Sequence, residues 1–252
     1  MSVNVTTDYP FAGDVVIALQ SSAVLELELR IPGWASDGST VKVGSSAAQA
    51  AENGTMHRVS LPAGLTTVTL TLPMVPRLEP TGDNGNVVVK RGPLLYVAPR
   101  EIAAIDGKGV YDDGPDLLPK GQPHGRDNYI LAMDSEWRHV IYKNSSIHET
   151  ARENIPTPPA GQGVFSLSLV PAPVLTVGAA TVPAAVWKDR VPDGEGQTSF
   201  PCGSSTSVNG YVHTTAAAPP AVDGAECHGG PKPLQLVPYG ATDVRVAVFP
   251  AV

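Results

Sequence analysis

The sequence predicts an all-β protein built as two consecutive antiparallel β-sandwich domains of the jelly-roll or immunoglobulin-like kind. Three observations carry that expectation. Short apolar runs alternate with polar residues at a period of 2. Turn formers are dense, with 25 Gly and 25 Pro in 252 residues, which suits many short strands. No stretch longer than about two turns carries a helical pattern.

The strand signals come in order. Asp14-Val15-Val16-Ile17-Ala18-Leu19 is a short apolar run. Leu25, Leu27, Leu29 and Ile31 then alternate with Glu26, Glu28 and Arg30, which sets an apolar face against a charged one. Pro32-Gly33 ends that strand, because Pro cannot donate to a ladder and Gly accepts turn dihedrals. Further strands are expected at Thr40 to Val43, Thr55 to Leu61, Thr66 to Leu72, Asn86 to Lys90 and Leu94 to Ala98.

Beyond Arg100 the texture changes. Residues 101 to 127 are acidic and rich in Gly and Pro, which places a domain boundary near Arg100 and gives domains of 1–100 and 101–252. Strands are expected again at Asn128 to Met133, Trp137 to Tyr142, Val164 to Leu169, Val174 to Val177, Thr181 to Trp187, Leu234 to Val237 and Asp243 to Phe249. Ser146-x-x-Glu149 reads as a capping box for a short helix. Residues 188 to 233 read as one long loop, of the length usually found at functional or cross-linked places.

Composition narrows the function. Hydrophobic residues make up 42%, enough for a packed core, while charged residues are only 16% against a usual share of roughly 25%. A surface of uncharged polar residues is common in secreted β proteins. The net charge of -7 gives no attraction to phosphates, and no stretch clusters Lys and Arg, so nucleic acid is not an expected partner. No apolar run approaches the roughly 20 residues that span a bilayer, so no membrane partner is expected. The N-terminal residues lack the basic and apolar regions of a signal peptide. The expectation is either a cytoplasmic chain or a piece of a longer, secreted one.

Cys202 and Cys227 are read as a disulfide. Closing a loop of about 25 residues would add roughly 3 kcal/mol in the chain-entropy account. Free thiols, or a metal site with His213 and His228, remain open, although the spacing matches no compact zinc motif. No metal and no cofactor are expected. Sequons begin at Asn4, Asn53 and Asn144 and matter only in a eukaryotic secretory setting.

Several landmarks resemble one family in order and content. Tyr9-Pro10-Phe11-x-Gly13-Asp14-Val15 comes first, then Leu29-Arg30-Ile31-Pro32-Gly33-Trp34-Ala35. Leu72-Pro73-Met74 precedes Lys90-Arg91-Gly92-Pro93-Leu94-Leu95-Tyr96, and Leu236-Val237-Pro238-Tyr239-Gly240 lies near the C-terminus. The chain resembles the C-terminal β-sandwich region of glycoside hydrolase family 127, the non-reducing-end β-L-arabinofuranosidases. The resemblance covers nearly the whole chain and is denser before Arg100. It implies two sandwiches that follow a catalytic (α/α) barrel absent from this sequence. It also implies that the catalytic apparatus, a zinc held by cysteines and a glutamate with one cysteine as nucleophile, belongs to that barrel. The family site uses three cysteines and this chain has two, both far toward the C-terminus. No catalytic residue carries over, and β-L-arabinofuranosidase activity by this chain alone is not expected.

Candidate site residues remain. Trp34, Tyr9 and Tyr239 offer aromatic faces on which a sugar ring can stack; the competing reading is that Trp34 plugs the end of the sandwich. Trp137 and Trp187 read as core. Arg30 and Arg91, beside their Pro-Gly and Gly-Pro turns, would hold turn carbonyls or face a barrel. Asp112-Asp113-x-x-Asp116 reads as a solvated acidic loop rather than a calcium site. His124, Arg126, Tyr129, Glu136 and His139 form the densest polar group and the catalytic candidates, should a lyase or hydrolase have evolved here.

Three functions compete. The first is a non-catalytic, carbohydrate-associated accessory module of an arabinofuranosidase-like enzyme. Its partners would be a poly- or oligosaccharide and a separate catalytic (α/α) barrel chain. The second is a free-standing polysaccharide lyase or glycoside hydrolase with a new site. The third is a protein-interaction or homodimerisation module with an exposed apolar patch.

Overall fold

The computed structural model describes residues 1–35, 37–81, 85–99, 102–105, 129–131, 139–151, 172–181, 204–208, 211–215, 228–239 and 245–252. The fold is all-β, as the alternation predicts, and every described strand-to-strand register is antiparallel. The chain divides into two compact units. One is Met1–Arg77 with Lys90–Leu95, and the other is Leu78–Val89 with Tyr96–Val252.

The first unit holds seven strands: β1 (Ser2–Thr7), β2 (Asp14–Ser21), β3 (Leu25–Arg30), β4 (Thr40–Val43), β5 (Gln49–Ala50), β6 (Met56–Leu61) and β7 (Gly64–Thr71). Five form a sheet in the order β1-β2-β7-β4-β5, and β3 pairs with β6 as a ribbon. Ile17 and Leu19 of β2, Val68 and Leu70 of β7 and Val41 of β4 share one core with Leu29 of β3 and Val59 and Leu61 of β6. Sheet and ribbon therefore close on each other as a sandwich. Register follows from the pattern. Leu25 faces Leu61 and Leu27 faces Val59, while on the outer face Glu28 forms an ion pair with Arg58. A one-residue slip would exchange those faces and bury the charges. The exposed ion pair itself contributes little.

One inner-face position departs from this logic. His57, opposite Leu29, has a buried Nε2 with no hydrogen-bond partner among the described residues. An orphaned polar atom of that kind costs about 1–3 kcal/mol.

The remaining strands are β8 (Pro76–Thr81), β9 (Asn86–Arg91), β10 (Leu94–Pro99), β11 (Ile102–Ile105), β12 (Tyr129–Leu131), β13 (His139–Ile141), β14 (His148–Thr150), β15 (Val174–Thr181), β16 (Ser204–Val208), β17 (Tyr211–Thr215), β18 (His228–Pro238) and β19 (Arg245–Val246). An eight-stranded sheet runs β13-β15-β18-β10-β9-β8, with β14 on β15 and β19 on β10. β8, which carries two prolines, sits at its edge, where a missing N–H does least harm. In the second unit Tyr96 is fully buried, and its hydroxyl donates to the Pro173 carbonyl at 3.0 Å. Phe249 is fully buried too and exchanges backbone hydrogen bonds with Val87 at 2.8 and 2.9 Å.

Two local expectations change. Ser146 to Glu149 is not helical: residues 148–150 are β14, paired with β15 from His148↔Thr176 to Thr150↔Val174. The Ser146 hydroxyl pairs with His148 Nε2 at 2.8 Å, and tertiary pairing has outcompeted the cap. Within 188–233, read as loop, the described residues hold the β16-β17 ribbon and the start of β18. β16 and β17 flank Asn209-Gly210, the strongest short hairpin signal, with Val208, Tyr211 and Val212 beside it and Ser and Thr farther out. The strands expected at 164–169 and 182–187, with Trp137, Trp187 and the Asp112 to Asp116 group, lie outside the described residues.

Replacing His57 by Leu removes the orphaned imidazole nitrogen and keeps an apolar inner face. The expected outcome is a gain of about 1 kcal/mol, a rise of about 4–8 °C in the first unit's melting temperature by calorimetry. A lower melting temperature would show that the imidazole has a stabilising partner.

Candidate functional site

The sequence landmarks of the first unit meet at one place. The chain leaves β1 through a turn in which the Thr7 hydroxyl donates to the Asp14 carbonyl at 2.8 Å and accepts from the Tyr9 amide at 3.0 Å. Phe11 N–H closes the turn on the Asp8 carbonyl at 2.8 Å. Tyr9 is thereby laid against Trp34, with ring centroids 6.4 Å apart and planes inclined by 26°.

Trp34 is set by its own turn. Ala35 N–H donates to the Pro32 carbonyl at 3.1 Å, and Ile31 and Gly54 fix the strand end from the other side. The indole is half-buried and packs on the core. One edge of it rests at Gly92, where an added β-carbon would stand 3.3 Å from Trp34 Cζ3 and 2.9 Å from Met74 Cγ and Sδ. Gly92 also has a φ of 53°, which side-chain-bearing residues rarely adopt.

Arg91 extends the same junction. Its Nη1 donates to the Phe11 carbonyl at 3.0 Å and lies 3.6 Å from Met74 Sδ. Arg77 Nη1 donates to the Gly92 carbonyl at 3.3 Å. The tightest approach is at Gly13. A β-carbon there would fall 1.8 Å from the Leu72 carbonyl oxygen, while Leu72 N–H donates to Gly13 O at 3.0 Å.

So Tyr9 meets Trp34, Trp34 and Met74 meet Gly92, Gly13 meets Leu72, and Arg91 holds Phe11. Four separate stretches of sequence interlock. The reading of Arg91 as a holder of turn carbonyls matches this geometry, whereas Arg30 is exposed on β3. Gly13, Met74 and Gly92 carry no chemistry that would single them out, and only their places inside the landmarks signal them.

Of the aromatic candidates, Tyr9 is 44% exposed and Tyr239, in the second unit, is 45% exposed. Trp34 gives one face to Tyr9 and an edge to Gly92. The last landmark pairs with the fourth within the second unit, through Tyr96↔Pro238 and Val97↔Val237.

The catalytic candidates fare differently. His124, Arg126 and Glu136 lie outside the described residues, as do Cys202 and Cys227. Tyr129 begins β12, opposite Ile105, and His139 is half-buried at the start of β13, opposite Thr181. These two strands belong to different sheets. Among the described residues no three His, Cys, Asp or Glu side chains gather as a metal site. The donor set of this chain, two cysteines in all, does not fit a centre that needs three cysteines and a glutamate.

No protein-family model and no curated protein matches the chain by sequence. Solved structures do match its fold. One is a glycoside hydrolase, with a TM-score of 0.52 and 18% identity over 99% of this chain and 32% of its own. Another is a GH127 β-L-arabinofuranosidase from Geobacillus stearothermophilus T6, with a TM-score of 0.53 and 17% identity over 99% of this chain and 30% of its own. The chain spans about a third of the length of these structures and has the fold of that third.

The interlock predicts unequal costs at its glycines. Gly13→Ala must displace the Leu72 backbone and is expected to lose about 3 kcal/mol or more. Gly33→Ala meets nothing within 4 Å and should stay within about 1 kcal/mol of the parent. Urea unfolding of the two variants side by side measures the difference.

Proposed function

We propose that this chain is a non-catalytic β-sandwich module of a β-L-arabinofuranosidase-like glycoside hydrolase, serving a catalytic barrel carried elsewhere. One observation carries the reading: 99% of the chain superposes on glycoside hydrolases, yet accounts for only 30–32% of their length. The landmark residues support it. Trp34, Arg91, Gly13 and Gly92 are engaged in packing one turn cluster, which is what a scaffold requires and a catalytic cleft does not.

The carbohydrate contact in this reading is the outer face of Tyr9. Trp34 backs the ring, so it is held in place before a sugar arrives, and less ordering entropy is lost on binding. A pyranose or furanose ring would stack there through its C–H face, and the phenol hydroxyl would reach a sugar hydroxyl.

Two measurements on the purified chain test the proposal. A chromogenic β-L-arabinofuranoside should show no turnover above buffer. Arabino-oligosaccharides titrated by calorimetry should bind weakly, and Tyr9→Ala should weaken that binding about tenfold, worth about 1.4 kcal/mol. Turnover by the isolated chain would overturn the non-catalytic reading. Binding unchanged in Tyr9→Ala would remove Tyr9 from the contact.

A further inference from the structure

The outer face of the five-stranded sheet has a pattern of its own, apart from the Tyr9 contact. Strand parity fixes which side chains are on it. Ile17 and Leu19 of β2 point into the core, so Val16 and Ala18 point outward. On one side, β1 sets Thr6 beside Val16 and Asn4 beside Ala18. On the other, β7 sets Thr69 beside Val16 and Thr67 beside Ala18. Opposite residues of paired strands share a face, so these six residues form two rows across the sheet.

Both rows have the same make-up: an apolar residue in the middle and a hydroxyl or amide on either side. Along β2 this makes a shallow trough. Val16 and Ala18 are its floor, Asn4 and Thr6 one rim, Thr67 and Thr69 the other. The rims stand about 9.5 Å apart, twice the spacing of neighbouring strands. Val16 is 38% exposed, Asn4, Thr6 and Thr67 are exposed, and Ala18 and Thr69 are half-buried. None of the six is charged; Asp14 begins β2, and Lys42 lies beyond Thr69 on β4.

This arrangement is complementary to a sugar. A sugar ring has C–H faces that rest on an apolar floor, and hydroxyls around its edge. Those hydroxyls meet rim side chains that both donate and accept hydrogen bonds. A protein partner fits less well, because an interface core needs a broad apolar patch and Val16 is the one large apolar side chain among the six. An anionic polymer is disfavoured by the net charge of -7.

We propose that this trough is a second carbohydrate site, which seats an uncharged glycan lengthwise along β2. The inference rests on the reading of the chain as a carbohydrate-associated module and gives that module a second contact. The floor repeats after about 6.7 Å, two residues along the strand, which favours a glycan chain over a single sugar.

The test is amide-resolved NMR of the whole chain, titrated with an uncharged arabino-oligosaccharide to about 10 mM, within the range of weak binding. Saturable shifts are expected at the amides of Asn4, Thr6, Val16, Ala18, Thr67 and Thr69. Free L-arabinose should need at least about tenfold more sugar to produce them. Thr6→Ala combined with Thr67→Ala removes one hydroxyl from each rim and should weaken binding about tenfold. Tyr9→Ala should leave these shifts in place. The map on the parent chain stands even if the double variant misfolds. Shifts confined to Tyr9 and its turn would overturn the trough and leave the module reading intact. So would no saturable shift at these six amides, or shifts there that the double variant does not weaken. Tighter binding of an acidic oligouronate at these amides would overturn the uncharged ligand class.

Discussion

The Leu72 carbonyl stands where a β-carbon at position 13 would be, and that exclusion sets the path of the chain between Tyr9 and Asp14. Because the backbones touch, the Leu72 amide reaches the Gly13 carbonyl, and the turn after β1 is anchored to the strand end after β7. A similar exclusion at Gly92 lets Met74 and the Trp34 edge close over the 90–95 segment. The aromatic stack and the Arg91 hydrogen bond depend on these two approaches. Sandwich ends are commonly left to loops; here Leu72, Met74 and Gly92 are buried and Trp34 is half-buried.

That packing bears on function. A residue at a cleft keeps polar atoms free to meet a ligand, whereas the side chains here are used against one another. Tyr9 is the member of the cluster that keeps a broad exposed face. The arrangement suits a supporting module whose end must hold its shape, and a single aromatic contact on sugar is compatible with it. The two sheets of the first unit share one core, so the cluster sits on a rigid base.

Much of this fold is legible in the sequence. The alternation at 25–31 and 66–72 predicts both the strands and their buried faces, since a period of 2 leaves one choice of face once a core exists. β1 is not legible: Ser-Val-Asn-Val-Thr-Thr has two apolar residues, both half-exposed, and its strand character comes from pairing with β2. β14 escapes because a capping box is a local signal and the ladder to β15 is not. Val208-Asn209-Gly210-Tyr211-Val212 marks the β16-β17 ribbon, but the Ser and Thr that make up most of the rest of both strands read as loop. The exchange of short segments between the two units between Arg77 and Tyr96 has no counterpart in composition. At the cluster, the aromatic residues can be named in advance, but the glycines cannot. A glycine required by a neighbouring backbone looks in sequence like any other turn glycine.

The most direct test of this account is native-state hydrogen exchange at the Leu72 amide, the donor to Gly13. If the interlock is part of the first unit's cooperative core, that amide exchanges with the same opening free energy as the β2-β7 ladder amides, near the global value. Exchange at the Leu72 amide several kcal/mol more readily than the ladder, through a local opening, would show that the turn cluster rests on the sandwich without holding it together.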